Sequence, residues 1–243
     1  MTTMIQPDWP GPGAVRVLAT TRIGGVSQGP WASFNLGLHC GDDERAVAEN
    51  RRRLSSQLPA PPRWLRQVHG TALVGPEDWQ PGIEADAAWT DRPGQVLAIL
   101  TADCLPVLLA STDGTIVAAV HAGWRGLAAG ILKKTVTGLP IAAADLRAWI
   151  GAGIGQTAYE VDDLVKSALT AAAPDAQACF ERNRPGHWLA DLKRLAVNAL
   201  HQAGVPEITD AGLCTASEPD RFYSYRRDHG HTGRQATLIW RDV

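Results

Sequence analysis

Three short segments of this chain place metal-binding side chains at predicted turns. His69 stands in Gln-Val-His-Gly at 67–70, Cys104 ends Thr-Ala-Asp-Cys at 101–104, and His121 opens His-Ala-Gly-Trp-Arg-Gly at 121–126. Imidazole nitrogen and thiolate sulfur are zinc ligands, and three protein ligands leave a fourth position for water or substrate. The separations match no local zinc-binding signature. From residue types alone, a buried structural cysteine and two hydrogen-bonded histidines stay equally open.

Seven apolar segments predict the strands that position these side chains. Most are continuous runs rich in leucine and β-branched residues, which suit strands covered on both faces. The predicted strands are residues 14–21, 85–90, 96–101, 105–111, 116–121, 146–151 and 235–241. Cys104 and His121 then lie at strand ends, where the backbone is fixed and glycines let a ligand approach. Because the links within 95–121 are very short, part of the sheet must be antiparallel.

Helices are predicted between the strands. One begins behind Asp43 as N-cap, with Val47, Leu54 and Leu58 at helical spacing. Others are predicted near 126–137, at 162–173 and at 191–203, the last closed by Gly204. The mixture predicts an α/β fold with a mixed, partly antiparallel sheet flanked by helices, and it disfavours a purely parallel Rossmann sheet.

Composition restricts the class of protein. The 243 residues carry a formal net charge of -2, so general nucleic-acid binding is not expected. Arg51, Arg52 and Arg53 form the one compact basic run, interpreted as a solvated helix face. No segment approaches the roughly 20 apolar residues that span a bilayer, and the first residues do not resemble a secretory signal. We therefore expect a cytoplasmic protein with no membrane partner and with its four cysteines reduced. No linker divides the chain, which predicts one domain over 1–243.

Seven motifs together resemble the YfiH family, whose members have been named polyphenol oxidase (laccase), purine nucleoside phosphorylase and peptidoglycan editing factor. They occur in order from about Leu18 to Trp240, and His-Ala-Gly-Trp-Arg-Gly after a strand with Thr-Ala-Asp-Cys upstream is highly specific. The motifs lie at 21–27, 33–37, 67–70, 101–104, 121–126, 150–161 and 232–234.

This resemblance implies a site, a fold and a reaction. The site is a catalytic zinc bound by His69, Cys104 and His121, with copper less expected. The fold is a single α/β domain similar to the catalytic domain of cytotoxic necrotising factor. The reaction is phosphorolysis of adenosine, inosine and 5′-methylthioadenosine, with adenosine deamination as a companion activity, so the partners are a nucleoside and phosphate. We expect a monomer.

Phosphorolysis requires an anion site beside the ribose C1′. The candidates are four arginines, since guanidinium binds phosphate oxygens in a two-pronged manner. They are Arg22, Arg125, Arg226 and Arg234. Arg125 also follows His121 at a predicted helix start, where backbone N–H groups favour anions. Asn35 and Asp86 are candidates for hydrogen bonds to ribose hydroxyls or base edges, and Asp86 has the alternative role of orienting a ligand histidine.

Two other reactions stay open. The first is a cysteine hydrolase that edits a peptidoglycan precursor, with Cys104 as nucleophile and His121 or His69 as base. The second is copper-dependent phenol oxidation. It is the weaker one, because a multicopper oxidase needs dense His-x-His clusters and the chain has seven histidines in total.

Overall fold

The computed structural model describes residues 4–7, 9, 12–172 and 174–242. The helices are α1 (Glu44–Ser55), α2 (Trp124–Ala128), α3 (Ile131–Gly138), α4 (Asp163–Ala172) and α5 (Leu192–Gln202). The strands are β1 (Met4–Ile5), β2 (Val15–Thr20), β3 (Leu73–Val74), β4 (Ala87–Thr90), β5 (Leu97–Thr101), β6 (Leu105–Ser111), β7 (Val117–Ala122), β8 (Leu146–Ile150), β9 (Glu160–Asp162), β10 (Phe180–Arg184), β11 (His187–Ala190), β12 (Glu207–Asp210) and β13 (Gln235–Arg241).

These strands form three sheets. A six-stranded sheet has the order β12-β8-β6-β7-β4-β3, a four-stranded sheet has the order β1-β2-β13-β5, and a three-stranded sheet has the order β10-β11-β9. In the six-stranded sheet the outer pairs β12–β8 and β3–β4 are parallel, and the inner pairs are antiparallel. The four-stranded sheet is antiparallel throughout.

Strand β6 shows how two layers cover the six-stranded sheet. Leu105, Val107 and Leu109 pack in the cluster that contains residues of helices α2 to α5. Leu108 and Ala110 pack in a second cluster with residues of β5 and β13. Because successive side chains of a strand point to opposite faces, burial on both faces requires an unbroken apolar run. Each fully buried large apolar side chain contributes about 1.5–3 kcal/mol, so this sheet is the centre of the core.

Helix α1 covers the outer face of the four-stranded sheet. Its Leu54 packs with Leu18, Ala98 and Leu238 from three strands of that sheet. The helix begins after Asp43, whose carboxylate accepts a hydrogen bond from the backbone N–H at position 45 (2.8 Å). The layers are therefore helices, six-stranded sheet, four-stranded sheet and α1.

The predicted fold class is confirmed: the fold is α/β, with mixed sheets flanked by helices. All seven predicted strands occur, with ends shifted by at most two residues. The helices predicted from Asp43 and at 191–203 also occur. The helix predicted at 162–173 is α4, and residue 173 lies outside the described residues. No helix in the described part of the chain is long and apolar enough to cross a membrane.

Two features differ from the sequence prediction. The strands within 95–121 do not form one sheet, because β5 pairs with β13 and the chain changes sheet at 102–104 before β6. The helix predicted near 126–137 begins earlier, at Trp124, and is two helices, since Gly130 adopts a φ of 79° between them. The predicted extent of one domain over 1–243 stays a prediction.

Candidate active site

Strand register brings the predicted ligands together at one edge of the six-stranded sheet. The first residue of β6 pairs with the last residue of β7, so Cys104, just before β6, lies beside His121 near the end of β7. Strand β4 begins at the same edge, directly after Asp86. The segment that carries His69 leads into β3, the neighbour of β4. Residues distant in sequence therefore meet because three strands end or begin together.

The three side chains form a compact donor set. One ligand atom from each of His69, Cys104 and His121 lies within 4.8 Å of the others. Cys104 Sγ is 3.8 Å from His69 Nε2, and the two imidazole rings meet edge to face with centroids 4.7 Å apart. His121 is 3% exposed, whereas His69 is solvent-exposed. The set is thus anchored in the core on one side and open to solvent on the other.

Asp86 fixes the positions of both histidines. Its carboxylate is fully buried and lies 2.8 Å from His121 Nδ1. An ionised carboxylate only accepts hydrogen bonds, so Nδ1 carries the proton and Nε2 is free to bind a metal. The same carboxylate accepts hydrogen bonds from the backbone N–H groups of Val68 (3.2 Å), His69 (2.9 Å) and Gly70 (2.7 Å). Of the two roles predicted for Asp86, this geometry favours orientation of a ligand histidine over contact with ribose.

Two residues of the site adopt left-handed backbone conformations. His69 has a φ of 60° and Asp103 a φ of 87°. Such conformations cost about 1–3 kcal/mol each and persist only where the surroundings enforce them. Asp86 holds the backbone of His69, and the Asp103 carboxylate accepts bonds from Thr215 Oγ1 (2.6 Å) and the backbone N–H of Arg226 (2.6 Å). The strained backbone therefore directs His69 and Cys104 toward each other.

Gly123 allows the backbone to pass close to the donor set. A Cβ atom at this position would lie 2.8 Å from Cys104 Sγ and 3.1 Å from His69 Cδ2. Any larger residue would displace two of the three ligand side chains. The glycine that directly follows strand β7, inside the motif at 121–126, thus has a steric explanation.

The electrostatics favour the charged form of the thiol. Burial alone would raise the pKa of Cys104, but the charges and hydrogen bonds of His121 and His69 lower it to about 6. Burial would lower the pKa of His121, whereas Cys104 and Asp86 raise it to about 9. Burial would raise the pKa of Asp86, and hydrogen bonds from His121, Gly70 and Val68 bring it below its ordinary value. The donor set is therefore a thiolate beside a protonated imidazole until another cation replaces the proton.

These residues fit a metal ion. Two imidazoles and a thiolate are a suitable donor set, with an open side for a further ligand. The Asp86–His121 contact is the carboxylate–histidine arrangement that orients metal-binding imidazoles. Among the described residues, this is the one group of three or more His, Cys, Asp or Glu side chains with ligand atoms close enough to share an ion.

The donor set lies in a cavity of about 900 Å³. Ligand pockets range from about 300 to 1,000 Å³, so this cavity is large enough for a substrate and a second reactant. Its lining includes aromatic side chains and five arginines; the arginines are Arg51, Arg66, Arg125, Arg226 and Arg234. Asp103 is the one carboxylate among the lining residues of the described chain, and its oxygens are occupied by Thr215 and the Arg226 backbone. The cavity is therefore cationic.

Three of the four predicted phosphate-binding arginines line the cavity, and Arg22 does not. Its Nε donates to Ala32 O (3.0 Å), its Nη1 donates to Pro219 O (3.1 Å), and its guanidinium stacks on Tyr223. These contacts support a structural role in joining two loops.

Asn35 also lies outside the cavity lining. It is fully buried, its Nδ2 donates to Gly37 O (3.2 Å) and Asp42 Oδ2 (2.8 Å), and its Oδ1 accepts from the backbone N–H groups of Gly37 (2.9 Å) and Arg234 (2.8 Å). The geometry favours a role in fixing the backbone of Arg234 over the predicted contact with a substrate.

The sequence interpretation missed Arg51 and Tyr159. The basic run was interpreted as a solvated helix face, which holds for Arg52 and Arg53, since both pair with Glu49. It is wrong for Arg51, which points to the cavity. The apolar positions of α1 did contain a signal, because Val47 and Leu54 are buried and Arg51 lies midway between them on the same face.

Tyr159 lines the same cavity as the donor set, Arg125 and Arg226. Arg226 stacks on its ring at 4.9 Å. Burial raises its pKa above the ordinary value, the charge of Cys104 adds to this rise, and Arg226 and Arg125 act against it. The hydroxyl is therefore protonated at neutral pH. The signal in the sequence was the tyrosine near the end of the glycine-rich motif at 150–161.

Comparisons with known proteins cover nearly the whole chain. A family model described as multi-copper polyphenol oxidoreductase laccase matches residues 16–242. The chain is 48% identical over 241 residues to a purine nucleoside phosphorylase of Pseudomonas aeruginosa, with 99% of each chain covered. It is 45% identical over 245 residues to the purine nucleoside phosphorylase YfiH of Escherichia coli, again with 99% of each covered.

Solved structures show the same fold. A Neisseria meningitidis protein is similar with a TM-score of 0.96 and 43% identity, with 99% of each chain covered. The protein YlmD from Geobacillus stearothermophilus is similar with a TM-score of 0.93 and 35% identity, covering 99% of this chain and 96% of that one.

Replacing Asp86 with asparagine should weaken metal binding. Asp86→Asn keeps the shape but removes the charge that orients His121 and places an amide N–H₂ against backbone donors. We expect the affinity for Zn²⁺ to fall about 10–100-fold, measured by competition with a chromophoric chelator. Asp78→Asn, at an exposed carboxylate, is the control and should bind as the parent does. Unchanged affinity in Asp86→Asn would contradict the orienting role.

The thiol of Cys104 should titrate near pH 6 in metal-free protein. A lowered pKa means that the thiolate is present above this pH and is protonated below it. The rate of alkylation by iodoacetamide should therefore show a midpoint near pH 6 that shifts upward in His121→Gln. The alkylation that Cys104 undergoes should be absent in Cys104→Ser, which identifies it among the reactions of the four cysteines. Added Zn²⁺ should suppress it. A midpoint above pH 8 would show that the histidines do not stabilise the thiolate.

Proposed function

This chain belongs to the YfiH family, which the multi-copper polyphenol oxidoreductase laccase model describes, and from that membership we propose that it is a zinc-dependent purine nucleoside phosphorylase. In this reaction the C1′–N9 bond of a purine nucleoside breaks, an oxygen of inorganic phosphate bonds to C1′, and the purine departs with a proton. Hydrogen phosphate gives up the proton that the purine gains, and the products are the free base and ribose 1-phosphate, or 5-methylthioribose 1-phosphate from 5′-methylthioadenosine. We propose inosine, adenosine and 5′-methylthioadenosine as substrates, following the names of the relatives and the family resemblance.

This proposal rests on one observation: the metal-binding set, which is open on one side, lies in a cavity lined by arginines. His69, Cys104 and His121 would hold the ion, which would supply a Lewis acid at the open side of the set. Four of the lining arginines form no ion pair with a carboxylate within the described residues, and their positive charge attracts a phosphate dianion. They are Arg51, Arg125, Arg226 and Arg234.

Arg125 and Arg226 are proposed to bind the phosphate co-substrate. Arg125 follows His121 by four residues, and the guanidinium of Arg226 stacks on Tyr159. Both line the cavity together with Tyr159 and Cys104. Helix α2 has only five residues, so the guanidinium groups rather than the helix terminus account for anion binding.

Tyr159 is proposed to assist the departure of the purine. Its raised pKa keeps the hydroxyl protonated, so Oη can donate a hydrogen bond to the basic nitrogen that develops on the leaving base. Departure of an unprotonated purine anion would be much slower. The aromatic lining of the cavity, which includes Trp64, Trp79 and Trp124, offers apolar faces for the purine ring.

Two further activities rest on single observations. Adenosine deamination would use the same metal set, since it requires an activated water. The cysteine hydrolase alternative, with a peptidoglycan precursor as substrate, is favoured by the lowered pKa of Cys104 beside His121. Copper-dependent phenol oxidation has less support, because the described residues offer one three-ligand group rather than several.

The decisive experiment is a product assay on protein purified without added metal. Metal analysis should find about one zinc per chain, and inosine should give hypoxanthine only when phosphate is present, as followed by mass spectrometry. Cys104→Ala should abolish this release with the fold retained in circular dichroism. Cys214→Ala, at a cysteine outside the cavity lining, is the matched control. Turnover without phosphate would instead support a hydrolase, and full turnover by Cys104→Ala would remove the thiol from the mechanism.

Arg125→Ala should act on phosphate more than on the nucleoside. Loss of one charge-assisted hydrogen bond weakens the binding free energy of phosphate by about 1.5–3 kcal/mol. The phosphate KM should therefore rise roughly tenfold or more, while the inosine KM changes little. Initial rates over a grid of both concentrations give the two constants. Arg45→Ala, at an exposed arginine of α1, should leave both unchanged. Equal increases in the two KM values would contradict a phosphate-specific role.

A further inference from the structure

Two of the four cavity arginines that pair with no carboxylate in the described chain have no assigned ligand contact in the proposed reaction. Arg226 stacks on Tyr159 and Arg125 follows His121 by four residues, whereas Arg51 and Arg234 are both anchored to the 35–37 segment. Arg51 Nε donates to the backbone oxygen of residue 36 (2.9 Å). The backbone of Arg234 exchanges hydrogen bonds with the same segment, through the side chain of residue 35 and the N–H of residue 36. One short segment therefore holds both the guanidinium of Arg51 and the backbone of Arg234.

Arg51 is held toward the cavity with most of its donors unused. Its guanidinium lies 4.3 Å from the ring centre of Trp64, and burial lowers its pKa to about 10. Apart from Nε, none of its N–H groups has a hydrogen-bond partner among the described residues. Its helix neighbours Arg52 and Arg53 both pair with Glu49. A half-buried cation without a counter-charge is costly unless a ligand supplies that charge.

Arg234 is fixed in a similar way. Its Nη1 donates to the backbone oxygens of Thr232 (3.0 Å) and Gly233 (2.9 Å), and no carboxylate in the described chain pairs with it. The side chain packs against Gly37, where a Cβ atom would lie 2.7 Å from Arg234 Cγ. The remaining donors are Nε and Nη2. The glycine thus makes room for the arginine, which lines the cavity.

We propose that Arg51 and Arg234 form a second anion subsite, which binds the phosphate of a purine nucleoside 5′-monophosphate. The proposal rests on the proposed function for the orientation of the ligand. If the co-substrate phosphate lies beside C1′ at Arg125 and Arg226, the other two unpaired arginines of the same cavity are left for the 5′ end of the ribose. Two unpaired guanidinium groups match a phosphate dianion in charge and in two-pronged geometry.

A neutral ligand would not offset the positive charge of Arg51 and Arg234. The carbonyl of hypoxanthine accepts hydrogen bonds from one guanidinium but carries no charge to offset two. The cavity volume of about 900 Å³ also lies at the upper end for small-molecule sites. The substrate class therefore extends from purine nucleosides to their 5′-monophosphates.

The test compares AMP with adenosine and IMP with inosine by isothermal titration calorimetry. It uses zinc-loaded protein in phosphate-free buffer, so that no turnover is needed. The parent should bind each nucleotide about 10–100-fold more tightly than its nucleoside, as expected for charge-assisted contacts. Arg51→Met and Arg234→Met should each reduce this preference at least severalfold and leave nucleoside affinity within twofold. Arg51→Lys, which keeps the charge, should retain part of it, and thermal unfolding checks that each variant folds.

Arg52→Met is the matched control. It removes a guanidinium of the same helix, but this guanidinium pairs with Glu49 outside the cavity. It should keep the full preference for nucleotides. Equal binding of AMP and adenosine by the parent overturns the proposal, whatever the phosphorolysis assay gives. Equal loss of nucleotide and nucleoside in Arg51→Met also overturns it. If Arg125→Met removes the preference and Arg51→Met keeps it, the nucleotide phosphate lies beside the metal set, and the second subsite does not exist.

Discussion

The buried carboxylate of Asp86 holds the site together. It accepts hydrogen bonds from three consecutive backbone N–H groups at 68–70 and lies against His121 Nδ1. One residue thus joins the loop before β3, the start of β4 and the end of β7. An isolated buried charge costs several kcal/mol, but here every contact is a hydrogen bond to the charged form. The carboxylate therefore stays ionised, fixes the tautomer of one ligand and enforces the left-handed backbone of the other.

Asp103 performs the corresponding task on the other side of Cys104. Its carboxylate binds Thr215 and the backbone of Arg226, and its backbone oxygen accepts from Ile154 N (2.9 Å). The residue before the thiol is thereby tied to the segment that carries a phosphate-binding candidate. Movement of Arg226 relative to Cys104 would break these bonds, so the donor set and the arginine form one unit. Such preorganisation is what an active site needs to hold reactants within a fraction of an ångström.

The sequence predicted the buried parts of this fold and the residues of the donor set. Strands such as β6 and β7 are buried at every position and apolar at all but one, because both faces are covered, and this pattern is local. The short strands β1, β3 and β9 to β12 were missed, since most of their residues are partly or fully exposed and the pairing comes from tertiary contacts. The change of sheet at 102–104 could not be predicted either, because a short link looks the same in a hairpin and between two sheets.

The direction of each side chain decides which arginines line the cavity, and the sequence alone did not show this direction. Arg51 and Arg52 are adjacent and chemically identical, yet helix geometry turns them about 100° apart, so one faces Glu49 and the other faces Trp64. Arg22 and Arg234 both stood in family motifs, but only Arg234 lines the cavity.

The distribution of carboxylates explains the charge of the cavity. Asp86 and Asp103 are the acidic residues in contact with the metal-binding set or next to it in sequence. Their carboxylates accept hydrogen bonds from backbone N–H groups, a threonine and one imidazole. Neither neutralises an arginine side chain. Other acids, such as Glu49, Glu84 and Glu218, pair with arginines outside the cavity or at its rim. Because the inner carboxylates accept hydrogen bonds from backbone N–H groups, a threonine and one imidazole, they do not neutralise the lining guanidinium groups, and the same contacts that assemble the metal-binding set leave the cavity positively charged.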